Sequence, residues 1–191
     1  MINNIIICGP SCSGKTSVAR SLFYFLQNKG YDPNLVLSNT TRPKRLGEQD
    51  DIDYHFCTEE EFNSYNYLEQ TEFRKWKYGI PIQNLKKNKC NILILNPVSI
   101  EKLAFKNNQY LIIYLYEYFF FRLIRSIKRE KKISIEMLRR GFVDSINFRK
   151  FENFCYKKHI KYFKLRNLNI ESTVKSIEKI FKVRNFFDNF R

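Results

Sequence analysis

The sequence predicts an α/β fold, a mainly parallel sheet flanked by helices. Three observations point to it. Short β-branched runs alternate with helical patterns along the whole chain. The first run stops at Gly9 and passes through a Gly-containing turn straight into a helix, as a strand–loop–helix unit does. At 191 residues the chain suits one domain with one core.

Taken in order, Ile2–Cys8 reads as a buried strand. Gly14–Asn28 places Val18, Leu22, Phe25 and Leu26 at helical spacing, and Gly30 ends that helix as a C-cap. Leu35–Leu37 is a second strand, followed by the polar segment Ser38–Asp53. Thr58 and Glu61 form a capping box that opens a helix at Glu59. Glu69–Tyr78 is extended, Pro81–Lys89 helical, and Asn91–Leu95 another buried strand. Val98–Phe105 is a short helix and Tyr110–Tyr116 a strand. Phe119–Arg129 and Ile135–Phe154 are helices on either side of the basic turn Glu130–Ile133. Tyr162–Leu165 and Ile170–Phe187 close the alternation as strand and helix.

Composition narrows the class. Eighteen Phe and 12 Tyr exclude a disordered tail, and six Gly with five Pro exclude collagen-like or low-complexity chains. Apolar runs such as Ile5–Cys8 are too short to span a membrane. Five cysteines in odd number, without a CxxC pair, read as reduced thiols of a cytoplasmic compartment. The net charge of +15 is unevenly spread. Gly47–Phe73 holds nine acidic residues and no Lys or Arg, while Phe121–Arg191 holds 20 basic against seven acidic residues. No nucleic-acid-binding signature accompanies that basic half, so it reads as a solvated helical surface rather than a polyanion footprint.

The strongest local signal is Gly9-Pro10-Ser11-Cys12-Ser13-Gly14-Lys15-Thr16, which fits G-x-x-x-x-G-K-S/T in full between a strand and a helix. Glycines let backbone N–H groups turn toward phosphate oxygens, and the helix N-terminus adds its dipole. Lys15 offers a charge to the β/γ-phosphates, and Thr16 a hydroxyl to Mg²⁺. Gly9, Ser11, Cys12, Ser13, Gly14, Lys15, Thr16 and Ser17 are therefore the expected triphosphate contacts.

A second basic loop follows, Ser38-Asn39-Thr40-Thr41-Arg42-Pro43-Lys44-Arg45, then Gly47-Glu48 and Asp53-Tyr54-His55-Phe56. Two arginines three apart in a Pro-stiffened loop suit bidentate phosphate binding. With the first loop at this spacing, the sequence resembles the guanylate kinase family. That pattern runs G-P-S-G-x-G-K-S/T, S-x-T-T-R-x-P-R-x-G-E, D-Y-x-F, and then an acidic segment ending in Tyr-Gly, here Leu68-Glu69 and Tyr78-Gly79. The likeness is good over roughly residues 2–100 and weaker beyond.

The resemblance implies a P-loop NTPase-type sheet with an inserted region for the nucleoside monophosphate (about 35–90) and a small basic lid (about 125–144). The remaining core would be 1–34, 91–124 and 145–191. It implies transfer of the ATP γ-phosphoryl group to GMP or dGMP, with Mg²⁺. Ser38, Arg42, Arg45, Tyr54 and Tyr78 would bind the acceptor phosphate, Glu69 the guanine N1–H and N2 amino group, and Thr71 the base as well. Lys15, Arg42 and the lid arginines Arg125, Arg129, Arg139 and Arg140 would face the transferring group. Arg125 and Arg129, four apart, share a helix face.

The chain departs from the pattern at four residues, and its segment between Tyr54 and Glu69 is several residues shorter than usual. Cys12 replaces a loop residue that is usually Gly, which is strained if that position needs positive φ. Ile94 and Asn96 stand where two acids are expected, one near the metal and one beside the base; Asn96 would accept from the N2 amino group, more weakly than a carboxylate. Ile80 replaces a Ser after Tyr-Gly. The two histidines, His55 and His159, show no partners that suggest acid–base or metal work. Three other readings stay open at this level: a kinase of the same fold with another monophosphate or a phosphorylated-sugar acceptor, a binding module that kept the fold, and a nucleic-acid binder using the basic half. Oligomeric state is not legible.

Overall fold

The computed structural model describes residues 4–45, 47–73, 75–103, 110–130 and 135–183. The central strand β1 (Asn4–Cys8) pairs in parallel with β7 (Cys90–Ile94) on one side and β8 (Tyr110–Tyr116) on the other. Outside them lie β2 (Pro33–Leu35) and β9 (Tyr162–Arg166), also parallel, giving the order β2-β7-β1-β8-β9. All five strands end on one edge. The order changes direction at β1, so a crevice opens at its carboxyl end, where ligands bind in open α/β sheets.

Period-two alternation along β1 explains the two-sided core. Ile5 and Ile7 face α1 (Lys15–Asn28) and α6 (Ile170–Val183), packing with Val18, Leu22, Leu26, Ile177 and Phe181. Ile6 and Cys8 point the other way, toward α3 (Pro97–Leu103) and α5 (Ile135–Lys157), and meet Ile100, Leu103, Phe148 and Phe151. Burying a large aliphatic or aromatic side chain stabilises by about 1.5–3 kcal/mol, so both faces contribute strongly.

A second sheet was not anticipated as such. β3 (Asn39–Thr40), β4 (His55–Phe56), β5 (Tyr67–Phe73) and β6 (Trp76–Pro81) pair in the order β4-β3-β6-β5. The extended Glu69–Tyr78 stretch is a hairpin, with Thr71 opposite Tyr78. The helix expected over Pro81–Lys89 reduces to the 3₁₀ turn Ile82–Asn84. Here Asn84 and Asn34 side chains bond to backbone carbonyls of Leu37 and Asn84, offering the chain alternatives to helix. The second strand sits two residues earlier than expected. Leu35 pairs with Ile92, and the chain then turns away after Val36 donates to the Ile92 carbonyl.

The capping box at α2 (Glu59–Ser64) is half formed. Thr58 Oγ1 accepts from the Glu61 amide at 3.1 Å, but the Glu61 carboxylate turns to His55 Nε2 at 2.8 Å. His55 Nδ1 meets Asp51 at 2.7 Å. His55 is therefore not partnerless: it ties the Asp51 turn to α2, and the two carboxylates raise its pKa. α4 (Phe119–Glu130) and α5 form the basic helical pair, and the turn between them lies outside the described residues, as do Ala104–Gln109 and the end of the last helix beyond Val183. Among the described residues no helix is long and apolar enough to cross a membrane, and all five cysteines are free thiols.

Candidate active site

The crevice at the end of β1 opens into a cleft of about 380 Å³. Its phosphate-loop end is lined by Gly9, Ser11 and Lys15. Gly9 is required by close approach: a Cβ there would lie 2.3 Å from the Leu115 carbonyl oxygen. Gly14 has φ +91, and its Cβ would fall 2.2 Å from the Asn167 side-chain nitrogen. Cys12 has φ 60, the left-handed conformation in which a side chain is strained, at a cost of about 1–2 kcal/mol. The loop's shape thus matches the glycine usually found at that position. Lys15 Nζ donates to the carbonyls of Gly9 (2.7 Å) and Pro10 (2.9 Å), which hold the ammonium over the loop. Thr16 and Ser17 stand on the exposed first turn of α1, and Ser13 is fully buried.

Away from the phosphate loop, Ser38, Arg42, Arg45, Tyr54, Glu69, Thr71, Tyr78 and Asn96 all line the same cleft. Residues 58 positions apart in sequence are thus brought together by the small sheet and by the end of β7. Arg42 is 7% exposed and strongly braced. It pairs with Glu48 at 2.9 Å, and its guanidinium lies 5.5 Å and 5.4 Å from the Tyr54 and Phe56 rings. Arg45 is more open, with Glu48 at 4.0 Å and its backbone amide donating to Glu48 at 2.8 Å. Thr41, the residue between Thr40 and Arg42, accepts from the Lys77 amide and fastens this loop to β6.

Glu69 is 9% exposed, and its Oε2 is buried without a hydrogen-bond partner. Desolvation raises its pKa, with the Ser99 hydroxyl and the Lys102 ammonium pulling partly back. Asn96, expected beside the base, is bonded within the protein. Its Oδ1 accepts from the Ser99 amide (2.9 Å) and hydroxyl (3.1 Å), capping α3, and its amide nitrogen donates to Thr71 Oγ1 at 3.0 Å. The oxygen expected to meet the base is spent on the helix. Ile94 lines the cleft, whereas Ile80 is fully buried in the second core face.

Of the four lid arginines, the structure brings Arg125 to the phosphate loop, where Nη1 donates to the Cys12 carbonyl at 3.4 Å. Arg139 is exposed, and the side chains of Arg129 and Arg140 lie outside the described residues. Sequence reasoning missed Asp144, Asn147, Lys102 and Glu72, which line the cleft, and Asn167, which underlies the loop. Asp144 Oδ2 accepts from the Ser11 amide at 2.6 Å and stands 3.9 Å from Arg122, itself 5% exposed. Asn167 Nδ2 donates to the Ser13 carbonyl at 2.7 Å. A signal for Asn167 existed: a polar residue just past a buried parallel strand falls on the ligand edge of the sheet.

A parallel sheet with a phosphate-loop motif at its switch point defines the class, a P-loop α/β protein. The guanylate kinase family model matches residues 1–182, and the chain belongs to that family. It is 45% identical over 71 residues to a guanylate kinase of Thermotoga maritima, covering 37% of this chain and 31% of that one. To the Malacoplasma penetrans guanylate kinase it is 41% identical over 87 residues, 44% of this chain and 43% of the relative. The Prochlorococcus marinus guanylate kinase aligns over 104 residues at 34% identity, 51% and 53% of the two chains. The chain thus spans about a third to a half of the length of these curated relatives. A crystal structure of guanylate kinase from Anaplasma phagocytophilum shares the fold, with a TM-score of 0.64 at 21% identity over 94% of this chain and 84% of that one.

Proposed function

We propose that the protein transfers the γ-phosphoryl group of ATP to GMP or dGMP. One observation carries the choice of guanine: Glu69 lines the cleft that also holds Lys15, Arg42 and Arg45, and its buried Oε2 has no hydrogen-bond partner. A buried acceptor without a donor is costly, and guanine offers two donors on one edge, N1–H and the N2 amino group. Family membership supports the same reading.

In this reading the amides of Ser11–Thr16 and the Lys15 ammonium cradle the triphosphate. Arg42, Arg45, Tyr54, Tyr78 and Ser38 hold the acceptor phosphate facing it. Arg125, with Arg129, Arg139 and Arg140 on the closing lid, spreads positive charge around the group in flight. Phosphoryl transfer depends chiefly on such positioning and charge. The acceptor is already a phosphate anion, so no side chain needs to act as general base, and neither histidine is assigned one. The Thr16 hydroxyl, a hard oxygen donor on the exposed first turn of α1, would hold Mg²⁺, with no carboxylate from Ile94 beside it. The ion would supply charge neutralisation at the triphosphate. The absence of a CxxC pair and the free thiols support a cytoplasmic setting.

A coupled ADP-release assay against ribo- and deoxy-monophosphates tests the proposal. GMP and dGMP are expected to be the best acceptors. A panel without guanine preference would reject the base assignment and leave a phosphotransferase with another acceptor.

A further inference from the structure

Between β8 and α4 lies a carboxylate that the reaction just described does not use. Glu117 has its side chain 2% exposed, yet sits between two arginines. Its Oε1 accepts from Arg166 Nε at 3.1 Å and from the Tyr118 amide at 2.9 Å. Its Oε2 accepts from Arg125 Nη2 at 3.2 Å. That same nitrogen donates to the Asn167 carbonyl at 2.9 Å, while Nη1 reaches the Cys12 carbonyl. Arg166 in turn lies 4.5 Å above the Tyr118 ring.

We propose that Glu117 is a positioning residue that holds Arg125 against the phosphate loop and offsets the repulsion between Arg125 and Arg166. The proposal rests on the reading of the loop as the ATP site. Three features carry it. The carboxylate is buried and its contacts come from separate elements, α4 and β9, so it sets the distance between them. The arginine it orients touches the phosphate loop at the strained Cys12, and Asn167, which shares that arginine, holds the next loop carbonyl at Ser13. Arg125 itself is 35% exposed, so part of its guanidinium still faces solvent beside the loop. An arginine has five N–H donors in a fixed plane, and anchoring some of them orients the rest toward an incoming polyphosphate. Without Glu117, two like charges would share this wall and Arg125 would swing outward.

A double-mutant cycle over Glu117→Gln and Arg125→Ala tests this, read both as ATP affinity by equilibrium titration and as kcat. Glu117→Gln keeps the shape and removes the charge. It is expected to lower kcat and ATP affinity each by about 10-fold or more, the usual range for a lost charge-assisted bond, with KM for the monophosphate unchanged. The double variant is expected to be no worse than Arg125→Ala alone, because the two act as one unit. Glu117→Asp keeps the charge and is expected to recover part of the loss; it also completes the cycle should Glu117→Gln fail to fold. Wild-type ATP affinity in Glu117→Gln, or effects that simply multiply in the double variant, would overturn the proposal. If the wild type phosphorylates no monophosphate, the functional reading falls, while the ATP titrations of the same proteins still decide the role of Glu117.

Discussion

The two ends of the cleft are built differently. At the phosphate-loop end, one octapeptide, Gly9–Thr16, contributes Gly9, Ser11 and Lys15 to the lining. Its shape is imposed by close packing on Leu115 and Asn167 and by the buried strand beneath. At the other end the lining comes from β5, from the end of β7 and from α3. The difference shows what a substitution means at each end. Cys12 replaces the usual glycine at φ 60, where the cost is local strain. Asn96 replaces an acid, and its role is decided by Ser99 and Thr71, which take both ends of its amide. Backbone recognition survives sequence change, whereas side-chain recognition depends on every neighbour.

The largest expected effect lies at the phosphate end. Lys15→Ala should lower kcat by about 100-fold or more, the scale of losing a preorganised charge at the reacting group, without shifting the melting temperature. Wild-type-like turnover would dissolve the contrast between the two ends. Next, Arg42→Ala should raise KM for the monophosphate by about 10–150-fold and leave KM for ATP nearly unchanged. Equal losses in both would show that Arg42 does not belong to the acceptor side. Arg45→Ala should act in the same direction but less, because Arg45 is less braced.

Glu69 sharpens the comparison through pH. Burial raises its pKa, so it protonates above the usual carboxylate range. Guanine needs the ionised form as acceptor. GMP affinity should therefore be full well above the raised pKa and fall as pH drops through it. The phosphate of the ligand titrates near pH 6, so the ratio of wild type to Glu69→Gln isolates the side chain. That ratio should be flat if Glu69 does not meet the base. Stability of the free protein should move oppositely. A carboxylate raised on folding contributes most below its unfolded pKa, and the contribution is lost as pH rises through the folded value. Thermal melts across that window check the sign.

The smallest effect is expected at Asp144. Its carboxylate occupies the Ser11 amide, one of the phosphate loop's own donors. A phosphate oxygen taking that donor has to displace it. Asp144→Ala should then tighten ATP binding by about 2–10-fold, the net worth of one hydrogen bond. Weaker ATP binding in this variant would instead make Asp144 part of the bound complex.

By itself the sequence determined the parallel sheet, the strand–loop–helix at Gly9–Thr16, and a set of residues from Ser38 to Asn96 that line one cleft with it. Those signals are local: hydrophobic alternation within a strand, glycines at fixed offsets, and a contiguous basic loop. Tertiary structure alone decided four things. It placed the small mixed sheet, whose two-residue strands carry too little pattern to read. It made Asn96 the cap of α3. It gave His55 two carboxylate partners, one on either side of it in sequence. And it set Glu117, Asp144 and Asn167 around the phosphate loop from 101, 128 and 151 positions beyond its last residue, Thr16. The reason is physical. A charge or amide acquires its role from the dielectric and the partners around it, and those are supplied by chain segments that meet only when the sheet has formed.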